Sequence, residues 1–313
     1  MESQTKTYSK LNGIIPPMIT PLLGSDKLDT VGVRNLVEHL IKGGVSGIFI
    51  LGTTGETQHL SIKLREELIR ETCQAVDGRL PVLVGITDTS MSESLYLANV
   101  AAECKANALV AAPPYYFALG QPELYEYYQA LSEKCPLPLY LYNMPSHTKV
   151  MIEPDTVKRL SELPNIVGLK DSSANGVYFH KLLHIMKDDP DFALFVGPEE
   201  MMASVVLMGA DGGVTGGANL YPELFVDLYK AAAAKDLSKV AELQEKVMLV
   251  GEALYGIGRF GSSYIKGLKT ALALKGICCD SLAQPFNTFQ MPEKQKVQVA
   301  LMQLEALLKN KNQ

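Results

Sequence analysis

Eight short apolar runs punctuate the first two-thirds of the chain, near residues 13–19, 46–51, 81–86, 108–113, 138–143, 166–170, 193–197 and 212–216. They are apolar almost throughout rather than alternating, the pattern of parallel strands covered on both faces. Between them the spacing changes to three and four, as in "TVGVRNLVEHLIKGG", which ends in glycines. Ser61 is placed to cap "IKLREELIRETCQAV", and Pro122, Pro154, Pro198 and Pro222 stand at predicted first helical positions. Strand and helix alternate eight times, with a repeat averaging about 28 residues, enough for a βα unit. Eight such units predict an α/β fold, a (β/α)8 TIM barrel. Beyond about residue 222 the strand pattern stops, and residues 235–310 read as helices. The predicted division is a catalytic barrel over 1–222 and C-terminal helices over 223–313. No Ser/Gly-rich linker separates them, so the helices are expected to pack on the barrel as one body.

Composition adds exclusions. Of 313 residues, 47% are hydrophobic and 20% charged, and the net charge is −5, which argues against a nucleic-acid partner. No apolar run approaches the ~20 residues of a membrane span, and the polar start "MESQTKTYSK" has no signal-peptide core. Five cysteines without a CxxC pair fit reduced thiols, so a cytoplasmic protein is expected.

A barrel carries its chemistry at the C-terminal ends of its strands. There stand Thr53, Thr54 and Glu56 in "LGTTGE", Tyr115 and Tyr116 in "PPYYF", Tyr142, Asn143 and His147 in "YNMPSHT", Lys170 and Asp171, and Glu199 and Glu200. Lys170 closes the apolar run "IVGLK". A free lysine amine is neutral in only about one molecule in 2,500 at pH 7, and burial shifts that balance toward a nucleophile for a carbonyl carbon. A lysine snorkelling to solvent has the same spacing. Tyr142 ends the preceding strand, where a phenol serves as a proton relay or as a satisfied core tyrosine. "GTTGE" offers two hydroxyls and turn N–H groups suited to a carboxylate, or simply a capped turn. Together an amine, a phenol and a carboxylate cradle describe a site for a 2-oxo acid.

At these residues the sequence resembles the dihydrodipicolinate synthase and N-acetylneuraminate lyase family of pyruvate-dependent Schiff-base enzymes. The motifs "GTTGE" (52–56), "PPYY" (113–116), "YNMP" (142–145), "GLKDSS" (168–173) and "GADGGVTGGAN" (209–219) carry the likeness, in family order. The resemblance implies that Lys170 forms the Schiff base, Tyr142 relays protons, and Thr53 and Thr54 bind the pyruvyl carboxylate. It implies that Tyr116 joins the relay of a neighbouring subunit, hence at least a dimer, and since the family is commonly tetrameric a homo-oligomer built as a dimer of dimers is expected. Val214 matches a position whose backbone lines the pocket. Two departures bear on substrate. Synthases usually carry an arginine where this chain has His147, and histidine lacks that bidentate fork. Ile62 and Arg65 stand where feedback-regulated members commonly have histidines. "GPEE" resembles the lyase branch, which makes Gly197, Glu199 and Glu200 expected substrate-binding positions. Acids in a first helical turn also simply favour the macrodipole.

The expected activity is a class I aldolase or lyase that cleaves or forms a sugar-derived 2-oxo acid, N-acetylneuraminate or a 2-keto-3-deoxy sugar acid. The alternatives are dihydrodipicolinate synthesis, a dehydratase, and a non-catalytic 2-oxo acid binder. No metal and no cofactor are expected. His180 and His184 share a helix face at metal-ligand spacing but lack the glutamate of HExxH, and "GADGGVTGG" lacks the lysine of a P-loop.

Overall fold

A computed structural model describes residues 9–309. The elements run β1 (Gly13–Ile14), β2 (Leu22–Gly24), β3 (Lys27–Leu28), α1 (Thr30–Lys42), β4 (Ile48–Ile50), α2 (Ile62–Val76), β5 (Val82–Gly85) and α3 (Met91–Glu103). They continue with β6 (Ala108–Ala111), α4 (Gln121–Lys134), β7 (Leu139–Asn143), the short α5 (Pro145–Thr148), α6 (Pro154–Ser161), β8 (Ile166–Asp171) and α7 (Gly176–Ile185). Then come β9 (Ala193–Val196), α8 (Met202–Leu207), β10 (Gly212–Gly213), α9 (Pro222–Ala233), α10 (Leu237–Tyr255), α11 (Ser263–Leu274) and α12 (Met291–Lys309). The β2–β3 pair is a small antiparallel hairpin. The remaining strands form one parallel sheet in the order β1-β10-β9-β8-β7-β6-β5-β4. Closure between β1 and β4 is made just past β1: Met18 N–H donates to the Phe49 carbonyl (2.8 Å) and Phe49 N–H to that of Pro16 (3.0 Å). The regular strand is shorter here than the predicted 13–19 because Pro16 and Pro17 have no N–H to give. The fold is a (β/α)8 TIM barrel with C-terminal helices.

Period-two alternation sorts the strand residues into two cores. Ile48, Ile50, Val82, Val84, Leu109, Leu139 and Leu141 face the helices. Phe49, Leu83, Val110, Tyr140, Tyr142 and Phe195 fill the barrel. α9 packs on α8 and β1, α10 on α9, and α11 and α12 on α10. The expected boundary at residue 222 therefore falls at the start of α9, which completes the helical ring, and the extension proper begins at α10. No helix among the described residues is long and apolar enough to cross a membrane.

β8 departs from simple alternation. Leu139 lies opposite Ile166, but the next residue, Tyr140, lies opposite Gly168, so Val167 is one residue extra. The bulge resets the alternation. Ile166 and Leu169 face the helices, while Val167, Gly168 and Lys170 face the barrel. Gly168 is required there, because a Cβ would sit 2.5 Å from the Tyr140 ring and 2.7 Å from the Ala193 carbonyl oxygen.

Candidate active site

β8 aims Lys170 into the barrel mouth, level with Tyr142 on β7 and Phe195 on β9. Its side chain is 6% exposed. Nζ lies 4.2 Å from the centre of the Tyr142 ring and 5.1 Å from that of Phe49. Among the described residues no carboxylate pairs with it. Tyr142 is also buried, and its hydroxyl lies 3.2 Å from Thr53 Oγ1. Burial acts to raise this phenol's pKa. The Lys170 charge and hydrogen bonds with Thr53, Ser172 and Lys170 outweigh it, and the phenol sits below its ordinary value.

The strand ends beneath this pair are braced. Asn143 Nδ2 donates to Asp171 Oδ1 (2.8 Å) and its Oδ1 accepts from Ile152 N–H (3.0 Å). Ser173 donates to Asp171 through both N–H and hydroxyl. Asn143 and Asp171 thus fix the backbone that carries Tyr142 and Lys170.

"GTTGE" forms a tight turn, with Gly55 N–H donating to Gly52 O and Glu56 N–H to Thr53 O, each 3.0 Å. Glu56 has φ +58°, left-handed, and its side chain runs inward. There it pairs with Lys269 of α11, both side chains wholly buried, and accepts from Ala283 N–H at 2.9 Å. Lys269 also donates to the Ser281 carbonyl at 2.7 Å. Burial pushes the Lys269 ammonium down, against the charge and hydrogen bond of Glu56. The outer end of the turn carries Thr53 toward Tyr142 and Thr54 toward Tyr264, whose hydroxyl is 3.3 Å away.

Thr53, Thr54, Tyr142, His147, Lys170, Gly197 and Val214 line one cavity of about 400 Å³. Gly197 fits closely: its N–H donates to the Asp171 carbonyl, and a Cβ there would collide with Ser172 Oγ. His147 lies on α5, its Nδ1 2.9 Å from Ser146 Oγ. Desolvation and then the nearby Lys149 charge push its imidazole below the usual value. A second cavity, about 370 Å³, adjoins it, sharing Thr53, Tyr142 and His147 and continuing among Phe49, Thr87, Ala112, Tyr115 and Lys149.

Three expected site residues lie elsewhere. Glu199 turns inward, accepting from Gly217 N–H (2.8 Å) and the Tyr255 hydroxyl (2.7 Å). Its carboxyl is occupied by the protein's own donors rather than offered to a sugar. Burial pushes it up to about 7, against those two hydrogen bonds. Glu200 is exposed, outside the cavity, and its carbonyl accepts from Gln244. Tyr116 is 97% exposed at φ +96° and lines neither cavity. Sequence reasoning missed the wall supplied by the C-terminal helices and their connections: Gly261, Ser262, Tyr264, Ile265 and Phe286. Strand periodicity carries no signal for residues so far along the chain. Among the described residues no cluster of three or more His, Cys, Asp or Glu is arranged to hold a metal.

The Dihydrodipicolinate synthetase family model matches residues 10–304. The chain is 33% identical over 285 residues to the probable 2-dehydro-3-deoxy-D-pentonate aldolase YjhH of Escherichia coli K12, covering 90% of this chain and 91% of that protein. It is 30% identical to the 4-hydroxy-tetrahydrodipicolinate synthase of Dechloromonas aromatica, covering 94% and 98%. Among solved structures, dihydrodipicolinate synthase from Bacteroides thetaiotaomicron is similar at 56% identity and a TM-score of 0.93, covering 95% and 100%. The E. coli K12 protein YagE, solved in complex with pyruvate, is 29% identical with a TM-score of 0.88, covering 94% and 98%.

Proposed function

The chain belongs to the dihydrodipicolinate synthetase family, a class I pyruvate-dependent aldolase family, and from that membership we propose a lyase that acts on a 2-keto-3-deoxy sugar acid. Lys170 adds to the C2 ketone and water leaves, giving a protonated imine. That imine draws the electrons of the C3–C4 bond as the C4 hydroxyl yields its proton to the Tyr142–Thr53 pair. An aldehyde departs and an enamine remains. The enamine takes a proton back at C3, and water releases pyruvate and the free amine. Thr53 and Thr54 hold the substrate carboxylate. The imine is itself the electron sink, so the scheme uses no metal or separate cofactor. Orientation and fixed dipoles are the protein's main contribution.

The observation that carries the substrate class is charge. Among the described residues, the basic side chains lining the mouth are Lys170 and His147, with Lys149 in the adjoining cavity that shares Thr53, Tyr142 and His147, and none is an arginine. An aldehyde bearing its own carboxylate, such as aspartate semialdehyde, would find no guanidinium there, whereas a neutral polyhydroxy aldehyde needs none. The synthase reading is the rival, supported by the 56% identity to the B. thetaiotaomicron protein. With Glu199 committed to Tyr255 and Gly217, N-acetylneuraminate is the less favoured sugar acid. Exposed Tyr116 enters the relay only in a second copy, so the proposed working form is a homo-oligomer, at least a dimer. Borohydride reduction with pyruvate should leave a mass adduct on Lys170 that Lys170→Ala abolishes. Pyruvate consumption with a panel of aldehydes should favour short sugar aldehydes. If aspartate semialdehyde alone reacts, the sugar-acid assignment is wrong.

A further inference from the structure

Tyr264 reaches the mouth from α11, outside the barrel's strand ends. Its hydroxyl is 3.3 Å from Thr54 Oγ1. Its ring meets that of Tyr255 edge-on, centres 4.8 Å apart at 79°. Tyr255 is held in turn by donating to Glu199, whose other oxygen accepts from Gly217 N–H. On the remaining side the phenol fills the space over Gly216, where a Cβ would collide with the hydroxyl. The ring is thus fixed from Tyr255 and from Gly216, with its oxygen directed at Thr54 and the cavity. Burial, then the Glu199 charge, hold this phenol well above its ordinary pKa, so it keeps its proton.

The proton count at Thr54 is what matters. A hydroxyl has one proton and two lone pairs. If Thr54 donated to Tyr264, it would present only a lone pair to an incoming anion, which repels it. If Tyr264 donates, the Thr54 proton is free to point into the cavity.

We propose that Tyr264 is a positioning residue for substrate: it donates to Thr54 Oγ1 and so turns the Thr54 hydroxyl proton toward the carboxylate of the 2-oxo acid. This rests on the reading of Lys170 as the Schiff-base amine and Thr54 as a carboxylate ligand. It also makes the C-terminal helices part of substrate selection.

The test is borohydride trapping of Lys170 in full-length Tyr264→Phe, with pyruvate and with methyl pyruvate, whose carboxylate is masked. The half-saturating pyruvate concentration is expected to rise roughly five- to tenfold, the worth of one well-made hydrogen bond, while that of the ester stays within about twofold. A merely structural role would weaken both in proportion, and that result overturns the proposal, as does an unchanged pyruvate curve. Gly216→Ala displaces the hydroxyl with Tyr264 intact, at φ −70°, which alanine adopts freely. It should reproduce the selective loss, and it decides the question if Tyr264→Phe does not fold. Absence of any adduct on the unaltered protein would instead remove the Lys170 chemistry, and this inference with it.

Discussion

Replacing Lys269 by methionine tests how far the carboxylate cradle depends on charge buried behind it. Methionine keeps most of the side-chain volume and removes the ammonium. Among the described residues, Glu56 is then left with the Ala283 N–H as its one remaining side-chain hydrogen bond, in a place wholly closed to water, and the Ser281 carbonyl loses the Lys269 donor. Orphaning one member of a buried pair costs about 3–5 kcal/mol. With a guanidinium slope of about 6 kcal/mol/M at this size, the unfolding midpoint should fall by roughly 0.5–0.8 M. Because the Glu56 side chain anchors the turn that carries Thr53 and Thr54, pyruvate trapping should weaken as well. The double variant Glu56→Leu/Lys269→Met leaves no charge to strand and should regain most of the stability, since apolar replacement of a buried pair is often neutral or better. A midpoint within about 0.1 M of the parent for the single variant would refute the reasoning. So would a double variant no more stable than the single one.

Glu199 sets a pH dependence. Its carboxyl holds a proton up to about 7 in the folded state, against an ordinary value of 4.5. Folding is therefore favoured by the full effect below about 4.5, loses about 3 kcal/mol as pH rises to 7, and is flat beyond. Glu199→Gln should flatten the denaturation midpoint across that window, and an unchanged slope would discount the shift. Gly168→Ala forces a Cβ against the Tyr140 ring and the Ala193 carbonyl. It should cost about 1–3 kcal/mol in thermal denaturation and lower the yield of trapped Lys170, since backbone cannot step aside. Tyr142→Phe should slow turnover by roughly 10²–10⁴, with aldehyde release measured at saturating substrate, while the protein folds normally.

Much of this was legible in the chain. Eight apolar runs and the helices between them follow from strands buried on both faces, and the ends of those runs placed Thr53, Tyr142 and Lys170 together correctly. Ser61 caps α2 through its hydroxyl as expected (3.3 Å to Leu64 N–H). Proline begins α6 and α9. Pro198, by contrast, leads into a single 3-10 turn over Glu199–Met201 before α8, which lets Glu199 swing inward. A dipeptide of acids after proline looks the same whether it faces solvent or a buried phenol, so its burial was not readable. Nor was the contribution of α11: Tyr264 and Lys269 reach the site through tertiary packing, and no local period announces a partner two hundred residues away. The bulge at Val167 is equally silent, since "IVGLK" reads identically with or without an extra residue in register.

That one extra residue has an evolutionary edge. From Gly168 onward β8 keeps step with β7, Lys170 beside Tyr142, so the surplus is absorbed wholly at Val167. In-frame loss of the Val167 codon would leave Ile166, Gly168, Leu169 and Lys170 in plain alternation, with the amine still in the lumen. What would change is the filling beneath it, where Val167 now packs with Tyr140 and Phe195. The bulge is thus a spare residue, a place where such a barrel can reshape its lumen while its nucleophile keeps its aim.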